Sequence, residues 1–528
     1  MLATPAPRRQ ARSLRWLSPP WDQQHPDWLR LDRQLPAHHR VRLVDRFVEA
    51  LDLQPLLPAF YAGFGSASWP PALLLKLVLY ELDRKVRSPA QWHRDCQEHL
   101  PLLWLLRGAQ PCRAALYDCR RRLSPSWLEQ LNRQLLLLAL SQQPDAARRA
   151  SLDGTFIAAR SSRHHLLNLQ RLNKRLHLLE EAVAADQAGS GPARRPRWMA
   201  RSVHGRLGQL ARYLKARQRL EKKVAHHQQQ QTRRAKSKRR PPERVVISPR
   251  EPEAVVGKDK LKVVRPLYNV QLVSALDSAL ILAYAVFAAT SDAGLLPEML
   301  GRLRRLGGRV PEELLADGIY SSVQDLLACQ AANVRLYAPV EAKSQEAAVE
   351  AGSAGSRRQE LPLVSATEEK GKKPDKLYGK GKFIWDEASH SYTCPAGQTL
   401  QRVTQGTESR VNGESVEVEK FATKACADCA QRERCTTSKK GRQIKRLVEE
   451  PLVEALRQRM ASESGRELYR LRKQTVERDF AEAKEHRGLR QFSGFGLELA
   501  ETEVALLVLL NNGKAWLDMR PPVATPAA

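Results

Sequence analysis

The stretch Tyr268–Thr290, YNVQLVSALDSALILAYAVFAAT, decides the fold class. It holds two runs rich in Val, Leu and Tyr, parted by the turn pair Asp277-Ser278. That spacing predicts a β-hairpin. Around it the texture alternates. SDAGLLPEMLGRLRRLG predicts a helix, ELLADGIYSS a strand ending at Asp317-Gly318, SSVQDLLACQAA a helix, and NVRLYAPV another strand. Upstream, ASLDGTFIAAR predicts a short strand with Asp153 at its centre. Strands and helices in this order imply an α/β sheet of mixed strand directions.

Outward from that region the pattern changes. Residues 1–40 are rich in Pro and Arg and are expected to be a disordered basic tail. Residues 41–147 read as helical throughout. Ser88-Pro89 and Ser124-Pro125 each pair an N-cap serine with a proline suited to the first helical position. One helix there ends in three arginines, including Arg120 and Arg121, and could present them to a DNA groove. The plain alternative is a helical bundle with solvated arginines. The α/β region is expected at 148–341 and 451–520. It is interrupted at 161–257 by two amphipathic helical patterns, read as an inserted arm. Between them and the next strand lies QQQQTRRAKSKRRPPER, a basic run carrying Arg233, Arg234, Lys236, Lys238, Arg239 and Arg240. This tip is expected to be disordered when free. Residues 342–450 read as a polar linker and a Cys-rich insert, and 521–528 as a tail.

The chain has 528 residues, with 87 Lys and Arg against 57 Asp and Glu, a formal charge of +30. So basic a multidomain protein is expected to bind a polyanion, with nucleic acid the default partner. No stretch approaches the ~18 apolar residues of a membrane span, and no secretory h-region is visible. Eight cysteines in a chain this long do not form a disulfide framework, and four have metal-type spacing, which favours a cytoplasmic location. The other four, Cys96, Cys112, Cys119 and Cys329, lie in helical patterns and are expected to be small buried hydrophobes.

Three acids carry the candidate chemistry. Asp153 and Asp317 lie in or at the end of apolar strands, where a carboxylate is costly unless partnered. Hard divalent ions such as Mg2+ are held by a few carboxylates plus phosphate oxygens. The third acid, Glu477, lies in RELYRLRKQTVERDFAEAKEHRGLRQF, Arg466–Phe492, read as one helix with a capping box at Ser464 and Glu467 and a stop at Gly488. Leu468, Val476, Phe480 and Ala483 form its apolar stripe, and Lys473 and Lys484 lie near Glu477 on one face. The plain reading of that face is solvated ion pairing, and the plain reading of Asp-Gly is a turn. Further on, Cys394 and the run Cys426-x2-Cys429-x5-Cys435 supply four thiolates, enough for a structural Zn2+ in an insert expected to have little core of its own.

SLDGTF around Asp153, EPEAVVGKDK leading to LYNVQ, LLADGIY around Asp317 and YRLRKQTVERDFAEAK around Glu477 together resemble the bacterial DDE-type insertion-sequence transposases. The branch resembled has a helical N-terminal domain and a Cys-rich insert before the catalytic glutamate. The resemblance spans most of residues 41–513. It implies an RNase H-like catalytic domain in which Asp153, Asp317 and Glu477 bind Mg2+ or Mn2+. The related Tyr-x2-Arg-x3-Glu-x6-Lys signature is met by Glu477 and Lys484 and by Tyr469 and Arg472. The arginine is one residue too far from Glu477, with Lys473 in its place. Tyr469, Arg472, Lys473 and Lys484 are expected to face DNA. The implied function is to bind terminal inverted repeats, cleave the ends and join them to target DNA, as a homodimer or larger assembly. Two alternatives stand beside it: a non-catalytic DNA-binding descendant, and a metal-dependent nuclease that does not join strands.

Overall fold

The structure, a computed structural model, describes residues 15–54, 57–60, 67–232, 234–259, 261–340, 377–409 and 415–519. The chain divides into two compact units. The first takes Met1–Gln230, Arg240–Tyr337 and Ser464–Ala528, and the second Gln231–Arg239 and Ala338–Glu463.

The first unit opens with helices Pro26–Gln34, Arg40–Glu49, Pro71–Asp83, Pro89–Glu98, Arg113–Arg122 and Pro125–Gln142. Proline at the start of four of them costs nothing, because the first N–H groups of a helix lack intrahelical partners anyway. Ser124 caps its helix as expected, its hydroxyl accepting from the Trp127 N–H at 3.3 Å. Ser88 makes no such bond. The expectation of a disordered tail to residue 40 is corrected from residue 15 onward. Trp28 stacks on Trp104 at 5.7 Å and donates to its carbonyl at 3.1 Å, while Leu31 is buried. Aromatic burial outweighs the Pro- and Arg-rich composition there. Residues 1–14 lie outside the described residues.

The sheet follows, with strands β1 (Arg149–Ala158), β2 (Val255–Lys258), β3 (Val264–Ala275), β4 (Ile281–Phe287), β5 (Glu313–Leu315) and β6 (Arg335–Tyr337). The order is β2-β3-β1-β5-β6, with β4 also paired to β3. β1 runs antiparallel to β3 and parallel to β5, and β5 is parallel to β6. The expected hairpin is β3–β4, closed over Asp277-Ser278. Its strands are buried almost continuously, the mark of a strand covered on both faces. Helices Leu296–Gly307 and Val323–Ala331 supply the crossovers to β5 and β6.

The C-terminal helix Leu497–Asp518 is buried on nearly every side. A helix apolar all round belongs inside a core. It packs on Pro125–Gln142 and on β4, and its Asn512 amide exchanges hydrogen bonds with the Ile281 backbone at 2.8 and 2.9 Å. Buried Asp83 of the helical region pairs with Arg487, with Lys514 at 2.8 Å and with Arg40 at 3.4 Å. The helical region and the sheet therefore share one core.

The arm is present as a helical hairpin, Leu169–Gln187 and Val203–Thr232. Leu172, Leu176 and Leu179 pack with Tyr213, Ala216 and Leu220. Asp186 at the end of the first helix pairs with Arg206 near the start of the second, which makes the helices antiparallel. Beyond the second helix, Lys236–Lys238 forms a 3-10 turn, and Arg239 donates to the carbonyls of Arg234 at 3.1 Å and Thr232 at 3.3 Å. The tip expected to be disordered is therefore held as a turn by its own arginine. Arg233 lies outside the described residues.

The second unit holds a five-stranded antiparallel sheet of β7 (Ile384–Asp386), β8 (Ser391–Thr393), β9 (Thr399–Ser409), β10 (Ser415–Ala422) and β11 (Gln443–Leu447), in the order β11-β10-β9-β8-β7. Phe383, Tyr392, Leu400, Phe421 and Ile444 form a core, and Arg446 lies 3.8 Å over the Trp385 ring. This corrects the expectation that the insert has little core. Aromatics spread over three segments, at β7, β8 and β10, meet only when the sheet forms. The linker expected at the start of this region, 341–376, lies outside the described residues.

Candidate active site

β1 places Asp153 at its midpoint, opposite Leu272 of β3. β5 is the parallel neighbour of β1, and Asp317 follows it at the start of a 3-10 turn, Gly318–Tyr320. The two aspartates share one local arrangement. Each accepts a hydrogen bond at Oδ1 from the N–H of the glycine after it, at 2.9 Å for Asp153 and 2.7 Å for Asp317. Burial pushes the Asp153 carboxyl above its usual range, the Arg472 guanidinium and the Gly154 N–H pull it down, and Asp317 and Asp292 push it up again. Like charges disfavour ionisation only at short range, so the sheet brings Asp153, Asp317 and Asp292 into one neighbourhood.

The helix expected from Arg466 to Phe492 is shorter and differently bounded. It runs Glu463–Ala481 and passes into a π-helical turn, Glu482–His486, before Gly488 at φ +68°. Ser464 lies one residue inside the helix start at Glu463. Val476 and Phe480 are buried as expected. Arg472 lies 3.3 Å from Asp153 Oδ1. Burial pushes the Tyr469 hydroxyl up, Arg472 pulls it down, and Asp317 and Asp153 push it up, which places Tyr469 beside the same two acids. The π turn re-aims the chain, as such insertions do. It delivers Lys484, whose ammonium donates to Thr155 Oγ1 at 2.5 Å, two residues along β1 from Asp153.

Glu477 is exposed on this helix. Among the described residues, no three His, Cys, Asp or Glu side chains come close enough together to hold a metal ion. The structure thus joins Asp153 and Asp317 but does not bring Glu477 into a metal-holding group with them. The side chain of Lys473 lies outside what is described.

The other candidates separate. Arg120 donates to Ser493 Oγ at 2.8 Å and pairs with Glu503 at 3.4 Å, so its guanidinium is engaged inside the protein. Arg121 is exposed and pairs with Asp118 on its own helix. Arg234, Lys236, Lys238, Arg239 and Arg240 are half-exposed or exposed. Cys394, Cys426, Cys429 and Cys435 line one cavity with Tyr378, Phe383 and Leu400. Burial pushes the Cys435 thiol up, Arg442 pulls it down, and the other three cysteines push it up. Cys96, Cys119 and Cys329 are buried, whereas Cys112, which precedes its helix, is exposed and corrects that expectation.

Sequence reading passed over a buried polar network beneath Asp153. Asp292 Oδ1 accepts from Asn269 Nδ2 at 2.6 Å and Gln271 Nε2 at 2.9 Å, and Tyr320 donates to Gln271 Oε1 at 2.5 Å. Asn269, Gln271 and Tyr320 are fully buried. The signal was present in the chain: two amides at alternate positions of an otherwise apolar strand require buried partners.

Two family models match the chain. One, described as a transposase DDE domain, matches residues 393–514, and the other, described as a transposase domain (DUF772), matches residues 29–122. No curated protein and no solved structure matches it. No helix among the described residues is long and apolar enough to cross a membrane. The first match takes in Tyr469, Arg472, Glu477 and Lys484, the second takes in most of the helical region, and together they support a DDE-type insertion-sequence transposase.

Proposed function

We propose that the protein binds the terminal inverted repeats of an insertion sequence, cleaves the ends and joins them to target DNA by metal-dependent phosphoryl transfer. One observation carries this reading. Asp153 on β1 and Asp317 after β5 lie in one electrostatic neighbourhood, beneath the Tyr469 and Arg472 of a helix matched as part of a transposase domain. The sheet order, with an antiparallel β4-β3-β1 meander and two parallel strands beyond β1, supports an RNase H-like reading of the domain.

The donor chemistry fits Mg2+ or Mn2+, since Asp153 and Asp317 offer carboxylate oxygens and Arg472 offsets part of their charge. Asp153 and Asp317 would hold the cation, with Glu477 the proposed third ligand. A divalent ion bound there would supply charge stabilisation and make a water or 3′-OH more acidic. The chain's own residues do the rest. Arg472 at Asp153 and Lys484 at Thr155, two residues along β1, present cations suited to phosphate oxygens. The exposed arginines and lysines of the arm tip contact DNA backbone without reading sequence.

For Zn2+ the donor chemistry fits, because four thiols line one cavity. The spacing does not, since no three of them form a metal-holding group. A structural zinc at Cys394, Cys426, Cys429 and Cys435 is decided by metal analysis: about one zinc per chain, lost on Cys426→Ser, would support it. A well-folded, zinc-free protein dismisses it.

The exposure of Glu477 favours a second reading, a DNA-binding descendant without catalysis. One experiment separates the two. The protein is incubated with a DNA fragment carrying the element's ends and Mg2+ or Mn2+, beside Asp153→Asn and Asp317→Asn. Cleavage and joining by the wild type alone, with end binding kept in both variants, supports the transposase reading. Binding without cleavage in all three supports the descendant, and cleavage without joining supports a nuclease.

A further inference from the structure

The network beneath β1 links four separate pieces of chain. Gly154 on β1 faces Gln271 and Asn269 of β3, paired with Gln271 in register. A Cβ added at Gly154 would collide with Gln271 Nε2 and lie 2.6 Å from Asp292 Oδ1. Glycine is therefore required next to Asp153 because two side chains cross at that point, although the backbone is ordinary strand. Asp292 comes from the loop after β4. Its Oδ1 gathers both amides, and Gln271 Nε2 also donates to Asn269 Oδ1 at 2.8 Å. Gln271 Oε1 then receives the Tyr320 hydroxyl, and Tyr320 closes the turn that begins at Asp317, its N–H bonded to the Asp317 carbonyl at 3.0 Å.

A fully buried amide aimed by three partners has no freedom to drift, and its partners inherit that restraint. The path Asp292–Gln271–Tyr320 thus runs from under Asp153 to the turn that carries Asp317. We propose that Asp292 is a positioning residue, holding Gln271 so that Tyr320 fixes the Asp317 turn against β1 and sets the spacing of the two candidate ligands. The inference deepens the metal-binding reading and rests on it for one of its two readouts.

The test uses the full chain and the variants Asp292→Ala, Asp292→Asn and Tyr320→Phe. The first readout, amide hydrogen exchange, needs no metal. Asp292→Ala is expected to speed exchange several-fold across residues 316–322 while leaving helix Leu296–Gly307 protected. Tyr320→Phe, which removes only a hydroxyl, is expected to act in the same direction and serves alone if Asp292→Ala does not fold. Asp292→Asn keeps an accepting oxygen and is expected to restore protection. The second readout is Mn2+ binding measured by paramagnetic resonance, expected to weaken roughly 10-fold in Asp292→Ala and to recover in Asp292→Asn. Unchanged exchange in both Asp292→Ala and Tyr320→Phe overturns the proposal. So does a Mn2+ affinity lost equally in Asp292→Asn, which would make the carboxylate itself a ligand. If the wild type shows no Mn2+ binding that Asp153→Asn removes, the metal reading fails, and the exchange data alone still decide the positioning role.

Discussion

Gly154 and Glu81 show how much one residue's surroundings determine. Gly154→Ala would place a methyl against the Gln271 amide and the Asp292 carboxylate. Because those side chains are fixed by hydrogen bonds, the strain cannot relax cheaply, and a loss of about 1–3 kcal/mol is expected in urea unfolding. A neutral result would mean that the network yields. Glu81 is fully buried beside Arg84, which bridges it at 2.9 Å to Asp95 at 2.8 Å. Burial pushes its carboxyl from 4.5 to about 8, with Arg84 opposing and Asp95 assisting. The folded chain therefore keeps a proton that the unfolded chain releases above pH 4.5. Its contribution to stability is complete below that pH and is lost as pH rises to about 8. Melting temperature followed from pH 4 to 9 should fall less steeply in Glu81→Gln across that window, and superimposable profiles would refute the assignment.

At the scale of elements, the arm depends on its root. Glu251 is fully buried where the chain returns from the arm. Its carboxylate accepts from the N–H of Ser161, where the arm departs, at 2.6 Å and from that of Gly496 at 2.9 Å, with the Tyr268 hydroxyl at 3.4 Å. One side chain thus closes both ends of the insertion onto β3 and the entry to the C-terminal helix. Glu251→Ala leaves two inward N–H groups without an acceptor, and a loss of about 2–3 kcal/mol is expected. An unchanged urea midpoint would show that the arm is anchored by its hydrophobic contacts and by the paired backbone hydrogen bonds between Leu167 and Ile247, both 2.9 Å. The same carboxylate, with the Leu167–Ile247 backbone bridge, closes the base of the arm, so two long helices can be inserted into a sheet without loosening it.

Over the whole molecule, the charge of +30 should appear in the salt dependence of DNA binding. Each phosphate contact releases condensed counterions, and the slope of log affinity against log salt steepens by about 0.9 per contact on duplex DNA. Replacing Arg233, Arg234, Lys236, Lys238, Arg239 and Arg240 with Gln is expected to flatten that slope by several units while leaving the preference for inverted-repeat ends intact. A slope equal to the wild type would assign the tip a role away from DNA. Asp83 is the corresponding test of the shared core. It holds Arg487 and Lys514 from the C-terminal end against the helical region, so Asp83→Ala leaves Arg487 with Glu482 at 2.8 Å and removes the carboxylate from Lys514, and a loss of about 1–3 kcal/mol in a single unfolding step for that unit is expected.

By itself the sequence determined the features that local periodicity and local chemistry control. The β3–β4 hairpin, the Asp153 strand, the two crossover helices and the helical hairpin of the arm are all set by the spacing of apolar residues and by turn pairs, because a segment's own pattern chooses its own backbone. The resemblance to transposases, which two family models support, was legible for the same reason, since its motifs are short and contiguous. Tertiary structure alone decided everything that depends on which distant side chains meet. It set Arg120 on Glu503 instead of leaving it free for DNA, gathered a core for the Cys-rich unit from aromatics scattered over its strands, and inserted a π turn that aims Lys484 at Thr155. It also put Asp292 and Tyr320, 28 residues apart, on the same buried amide beneath Asp153. A buried polar group must find its partners wherever the fold brings them, and one strand's periodicity states the need for a partner without naming it.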